Sequence, residues 1–305
     1  MPMDLRQLEY FVRVAELGSF TRAAQMLEVA QPALSRQVRA LELELRETLL
    51  TRTGRGVVPT DAGRRLLEHG HAILRSVAQA REDLHSQRGE PVGRVTVGLP
   101  PSLARRLTPL LIERFQQEMP KARLEIVEAF SVTIAEWLGS GRMNLGLVYS
   151  PASQPQIEVE PVLEERLCLV GPTGSLPTRG GIAFCDLARY PLVMPQRSQI
   201  FRKLMEAQAM LSQVKLNVVW EVSSVPVILD LVRAGYGYAA LTDSALHSQG
   251  SDSGLIEATI HSPHIVSTLC VVQSASKRAT PLEQRTMELL RQLSRHVCAA
   301  ESAAA

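Results

Sequence analysis

Cysteine is scarce in this chain: four residues in 305, Cys168, Cys185, Cys270 and Cys298, stand far apart with no Cys-x-x-Cys pair among them. That spacing argues against a disulfide framework or a zinc ribbon and fits reduced thiols. Long apolar runs are missing too, since none approaches the roughly 18 residues that a membrane-crossing helix needs. The opening MPMDLRQLEYF lacks the basic, apolar and small-residue layout of a secretion signal, so the expected compartment is the cytoplasm. Catalytic signatures are absent as well. There is no GxSxG, HExxH, P-loop or GxGxxG, and the seven histidines show no ligand spacing, which weighs against an enzyme and leaves no metal or cofactor expected. A large charge of either sign is also lacking: the net charge is +2, so the placement of basic residues has to carry any argument about a nucleic-acid partner. Before Lys121 every one of them is arginine.

What is present is enough chain for two or three folding units. Leu5, Leu8, Val12 and Ala15 recur at helical spacing, as do Phe20, Ala23, Ala24 and Leu27 after a Ser19 suited to capping. A third set, Leu34, Val38, Leu41 and Leu45, follows Gln31-Pro32, where proline fits a first helical turn. Thr51 to Pro59, with Gly54 and Gly56 among basic and β-branched residues, reads as a hairpin-like wing. From Thr60 to about Gln87 one long helix is expected, with Leu66, Gly70, Ile73, Val77, Ala80 and Leu84 forming a heptad seam of roughly 40 Å that favours pairing with another helix.

Beyond a hinge at 89–93 the pattern alternates. RVTVGL (94–99), RLEIVE (123–128) and LGLVY (145–149) read as strands separated by helices, and LVM (192–194), LNVVWEV (216–222) and GYAAL (237–241) repeat the rhythm. That predicts two mainly parallel α/β halves with a cleft between them. LEERLCLVG (163–171) and VSTLCVVQ (266–273) are the expected crossings, and a helix opened by Thr280-Pro281 closes the chain. The expected fold is therefore an N-terminal winged helix-turn-helix (1–60), a linker helix (61–88), a hinge (89–93), and a C-terminal α/β region (94–305). Its subdomain I covers about 94–166 and 269–298, and subdomain II about 167–268.

On a helical wheel, Leu34, Val38, Leu41 and Leu45 share one side of the third helix while Pro32, Arg36 and Arg39 lie almost opposite, with Ser35 on the flank. An exposed arginine face is most often only solvated. Here it crowns a compact three-helix unit, the shape that enters a major groove, and arginine's planar fork matches guanine and phosphate.

The segment LRQLEYFVRVAELGSFTRAAQMLEVAQPALSRQVRALELELRETLLTRTGRGVVPTDAGRRLL resembles the DNA-binding domain of the LysR-type transcriptional regulators. Gly18-Ser19-Phe20, Ala23-Ala24, Gln31-Pro32-Ala33-Leu34-Ser35, Leu41-Glu42 and Thr60-Asp61-Ala62-Gly63 carry the likeness. The resemblance implies that Gln31, Pro32, Ser35 and Arg36 face base edges, that Arg55 approaches the minor groove, and that Arg52 and Thr60 meet phosphates. It also implies a homotetramer on double-stranded promoter DNA; RNA polymerase is a further candidate partner. Two residues depart from the pattern: Arg46 stands where the family has a helix-ending glycine and Leu50 where it has phenylalanine, which puts the local turn in question.

The remainder resembles the family's effector domain, two subdomains of the type-2 periplasmic-binding-protein kind. GRVTVGLPPSLARRLTPLL, FSVTIAEWLGSGRMNLGLVY and ERLCLVGP are similar to the nitrogen-assimilation-control branch. Ligands in such sheets settle at the carboxyl ends of strands, near helix N-termini. That rule selects Ser102, Phe130, Ser131, Arg197, Ser198, Ser223 with Ser224, and Thr242, each serine being equally ready to serve as a simple cap. Arg197 or Arg202 is the expected counter-charge for a small organic anion as effector. Cys168 and Cys270, one on each crossing, raise a redox switch as a minor alternative to inert packing.

Overall fold

The computed structural model describes residues 3–54, 56–85, 91–177, 179–247, 254–275 and 278–302. It divides into two compact units, the first Met1–Arg88 with Ser140–Arg142 and the second Gly89–Gly139 with Met143–Ala305. The first opens with α1 (Leu5–Leu17), α2 (Phe20–Met26) and α3 (Gln31–Leu45). Asp4 caps α1 by accepting the Gln7 N–H at 2.7 Å, Ser19 caps α2, and Pro32 sits in the first turn of α3. Leu8, Phe11, Val14, Ala23, Leu34, Val38 and Leu41 are all buried, and each large aliphatic among them contributes about 1.5–3 kcal/mol on leaving water. Leu45, expected on the same inner face, is 37% exposed at the last residue of α3.

The wing is a hairpin of β1 (Leu50–Thr53) and β2 (Gly56–Pro59), paired antiparallel from Leu50↔Pro59 to Thr53↔Gly56. Its loop residue Arg55 lies outside the described residues. Gly56 is required by proximity: a Cβ there would stand 2.4 Å from the Gly18 carbonyl oxygen, and the neighbouring Val57 N–H donates to that same oxygen at 2.9 Å.

Helix α4 (Asp61–His85) has 25 residues and spans about 37 Å. Its expected seam is divided. Leu66 joins the core of the three-helix unit together with Leu67 and Leu74, and Gly70 lies so close to α1 that a Cβ would meet Val12 Cγ2 at 2.8 Å. The first half of the stripe thus packs on its own unit, while Ile73 further along is 36% exposed and Ala80 is exposed. The side chain of Leu84 and the hinge residues Gly89 and Glu90 fall outside what is described.

The larger unit begins with β3 (Gly93–Leu99), α5 (Pro101–Glu118), β4 (Ala122–Glu128), α6 (Ser131–Gly139) and β5 (Leu145–Tyr149), with β4, β3 and β5 parallel. The long strand β6 (Ile157–Pro172) then carries the chain across. Up to Arg166 it pairs with β12 (Val266–Ser274), and from Leu167 it pairs with β10 (Ala239–Thr242) and β11 (Leu255–His261). Between these lie β7 (Ile182–Ala183), a short 3-10 helix (Phe184–Arg189), β8 (Pro191–Met194), α7 (Ile200–Leu211), β9 (Asn217–Glu221), α8 (Val225–Arg233) and α9 (Asp243–His247). Helix α10 (Pro281–Ser302) ends the fold.

The sheets are less parallel than the sequence rhythm predicts. β12 runs antiparallel to both β5 and β6, and β10 and β11 run antiparallel to β6. A segment that leaves one half and later returns must run in both directions. β7, β11 and the 3-10 helix are elements that the alternation did not reveal. Subdomain I buries Leu103, Leu107, Leu111 and Phe115 of α5 against Leu289 and Leu290 of α10, whereas subdomain II centres on Leu192, Met194, Met205 and Ile228.

Candidate nucleic-acid interface and effector cavity

With Leu34, Val38 and Leu41 turned inward, α3 presents Pro32, Arg36 and Arg39 to solvent, with Gln31 and Ser35 half-buried at its flank. An open cleft between α3 and the wing is lined by Ser35, Arg39, Arg46 and Arg52, with Glu42 and Glu47 among the same walls. Glu42 fastens the start of β1 to α3: its Oε1 accepts the Leu49 N–H at 2.8 Å and the Leu50 N–H at 3.2 Å. Thr60 is similarly engaged. Its hydroxyl donates to the Thr48 carbonyl at 2.6 Å and accepts the Gly63 N–H at 3.0 Å, capping α4. The surface so formed is a rigid helix bearing two solvent-facing guanidinium groups beside a hairpin bearing a third, the arrangement that fits a groove and its flanking phosphates.

The larger unit holds a narrow cavity with closely set walls. The beginnings of four helices reach it: Pro101 and Ser102 of α5, Ser131 of α6 with Phe130 before it, Ile200 and Phe201 of α7 after Gln199, and Val225 of α8. Tyr149 closes one wall at the end of β5, its ring 5.0 Å from that of Phe201. Behind it runs a buried polar chain. Ser102 Oγ donates to the Tyr149 hydroxyl at 3.3 Å, and Tyr149 in turn donates to Glu165 of β6. Ser244 donates to the other Glu165 oxygen. Burial raises the Glu165 carboxyl above its ordinary value, and burial with the adjacent Glu165 raises the Tyr149 phenol well above its own. Ser131 accepts the Tyr149 N–H at 3.0 Å.

Residues 5–64 match the family described as bacterial regulatory helix-turn-helix protein, lysR family, and residues 88–295 match the LysR substrate binding domain. The chain belongs to the LysR family of transcriptional regulators. The nitrogen assimilation regulatory protein of Klebsiella aerogenes is 31% identical to it over 290 residues, 94% of each chain, and that of Escherichia coli 32% over the same share. These support the nitrogen-assimilation-control-like branch. Among solved structures, full-length OxyR from Pseudomonas aeruginosa superposes with a TM-score of 0.75 at 23% identity, covering 97% of this chain and 95% of that one. Full-length CbnR complexed with its target DNA gives 0.68 at 24%, covering 95% and 100%. The fold is thus that of full-length LysR regulators, a DNA-binding domain followed by an effector-binding domain of two α/β subdomains.

Within this LysR-family chain the structure gathers Ser102, Phe130 and Ser131 at the cavity. Arg197, Ser198 and Ser223 do not line it; all three are exposed, with Arg197 reaching Glu206 at 3.8 Å. Arg202 is 2% exposed, and its charge is already met by Glu206 at 2.8 Å and Glu221 at 3.4 Å. Thr242 is buried outside the lining. The counter-charge expected for an anion is therefore not at the cavity wall. Sequence reading also passed over Tyr149, Gln199 and Glu165. The strand-end rule reaches Tyr149, the last residue of β5, but gives no sign of Glu165, whose role depends on Ser244 at a separation of 79 residues.

Proposed function

We propose that the chain is a ligand-modulated regulator in which two α3 helices of a dimer read an inverted repeat in promoter DNA and occupancy of the cavity changes their spacing. The supporting observation is the sidedness of α3, leucines inward with Arg36 and Arg39 in solvent. Gln31, Pro32, Ser35 and Arg36 then face base edges, and Arg39, Arg52 and the wing residue Arg55 serve phosphates and the adjoining minor groove. Thr60 contributes by holding the wing through its cap. Dimerisation runs through the outer half of α4, dimers pair into a tetramer, and the protein works in the cytoplasm, where RNA polymerase is a further partner. Ser102, Phe130, Ser131 and Tyr149 are the effector contacts.

Gel-shift titration against the intergenic DNA beside its own gene tests this reading. Arg36→Ala and Ser35→Ala are expected to lose sequence preference, by about 1–3 kcal/mol for each base contact removed, with circular dichroism unchanged. Specific binding undiminished in both variants overturns it. Ile73→Asp with Val77→Asp is expected to turn the dimer into monomers in sedimentation, since both lie on the part of the stripe that α1 leaves uncovered.

A further inference from the structure

We infer that the effector is an uncharged molecule, with a compact apolar body and a hydrogen-bond donor that Gln199 receives; this rests on the cavity being the effector site. Three observations carry it. The wall is built from proline, phenylalanine, isoleucine, valine and leucine side chains, and no lysine or arginine is among the residues that line it. Helix starts are the usual substitute for cationic side chains in holding anions, yet two of those here are short of a donor. α5 begins with Pro100-Pro101 and α8 carries Pro226 in its first turn, positions where proline contributes no N–H. The Leu103 and Ala104 N–H groups are already spent on the Pro100 carbonyl. An anion placed here would meet no cationic side chain and would have only the starts of α6 and α7 to offset its lost hydration. It would also approach the Tyr149–Glu165 pair, where any ionised Glu165 repels it.

The third observation fixes the polar end. Gln199 Oε1 is buried at the wall with no hydrogen-bond partner among the described residues. A buried acceptor left unmade is costly, and a ligand N–H or O–H would satisfy it. Ser131, whose oxygen accepts the Tyr149 N–H, keeps its own proton to give to a ligand carbonyl. A primary amide supplies both partners at once. The walls are closely set, so only a small ligand, no larger than a branched aliphatic chain or a single ring, enters, and the side chains must part to admit it.

Isosteric pairs differing only in charge test this: isobutyramide against isobutyrate, and nicotinamide against nicotinate, each titrated into the full-length protein by calorimetry and thermal shift. The expected result is saturable binding of the amides near or below about 1 mM and at least tenfold weaker binding of the acids. In Gln199→Leu, amide affinity should fall about fivefold to tenfold, with the unfolding midpoint of the free protein held or raised, since the unpaired acceptor is gone. Val225→Phe, which fills the cavity, should abolish binding altogether. Acids binding as tightly as the amides, and blocked by Val225→Phe, would overturn the inference while leaving the cavity as the effector site. Amide binding that survives Gln199→Leu undiminished, or binding insensitive to Val225→Phe, overturns it also. No binding by any of the four overturns the inference, the gel-shift test deciding separately on the reading beneath it.

Discussion

Arg46 closes α3 with φ 54° and ψ 32°, a left-handed conformation that costs a residue with a Cβ about 1–2 kcal/mol. The chain tolerates it because the cap is otherwise complete: the Arg46 N–H reaches the Leu43 carbonyl at 3.3 Å and the Glu47 N–H the Glu42 carbonyl at 3.1 Å. Arg46→Gly is therefore expected to stabilise the free protein by about 0.5–1 kcal/mol, after allowing for glycine's larger unfolded entropy, as read from urea denaturation. The residue was visible in the sequence as a departure from the family pattern. Its backbone angle shows that the turn is kept and the strain accepted. The cysteines were less legible. Cys270 faces Pro161 across the β12–β6 ladder, and Cys168 lies seven residues further along β6, roughly 20 Å away at ordinary strand rise, too far for a disulfide. Burial pushes the Cys168 thiol up to about 12 and raises that of Cys270. The redox switch between them is thereby set aside in favour of packing.

At the scale of elements, α3, its caps and the wing were all readable, because the signals that specify them lie within a few residues of each other: Ser19 before α2, Pro32 at the start of α3, and Gly54 and Gly56 in the hairpin. What joins the elements was not readable. Glu42 is recognisable as a family residue from sequence, but its purpose appears only when the Leu49 and Leu50 N–H groups are seen converging on one carboxylate oxygen. Glu42→Ala is expected to cost about 2 kcal/mol in folding stability, two charge-assisted bonds being lost at a half-buried site. Operator affinity should drop with it as the wing loosens, while Glu42→Gln, which retains an acceptor, recovers most of both; chemical denaturation and gel shift on the two variants would check this. Helix α4 teaches the converse lesson. Its heptad stripe was legible, but a stripe cannot say which neighbour it meets, and Gly70 against Val12 and Leu8 shows that α1 claims the first half.

For the whole molecule, alternation of strand and helix sufficed for two subdomains and a cleft, and strand-end reasoning found three of the cavity residues. It failed where long-range pairing decides, as with Glu165, whose partners Tyr149 and Ser244 come from β5 and α9. That buried carboxyl gives global stability a pH dependence of definite sign. Because the folded protein holds the Glu165 proton more tightly than the unfolded chain does, folding is favoured below the ordinary value of 4.5, and that advantage is lost as pH rises through the higher folded value. In parallel urea titrations between about pH 5 and about pH 8, the stability of the native protein minus that of Glu165→Gln should decline with rising pH and then level off. A flat difference would show that Glu165 is ionised throughout.

The path of β6 and β12 also bears on how such a regulator acquires a new stimulus. The chain enters subdomain II once, after Arg166, and comes back once, at Val266. The second subdomain is thus a single cassette inserted into the first, and exchanging it between relatives at those two points would replace the Gln199, Phe201 and Val225 side of the cavity while keeping the Ser102, Ser131 and Tyr149 side.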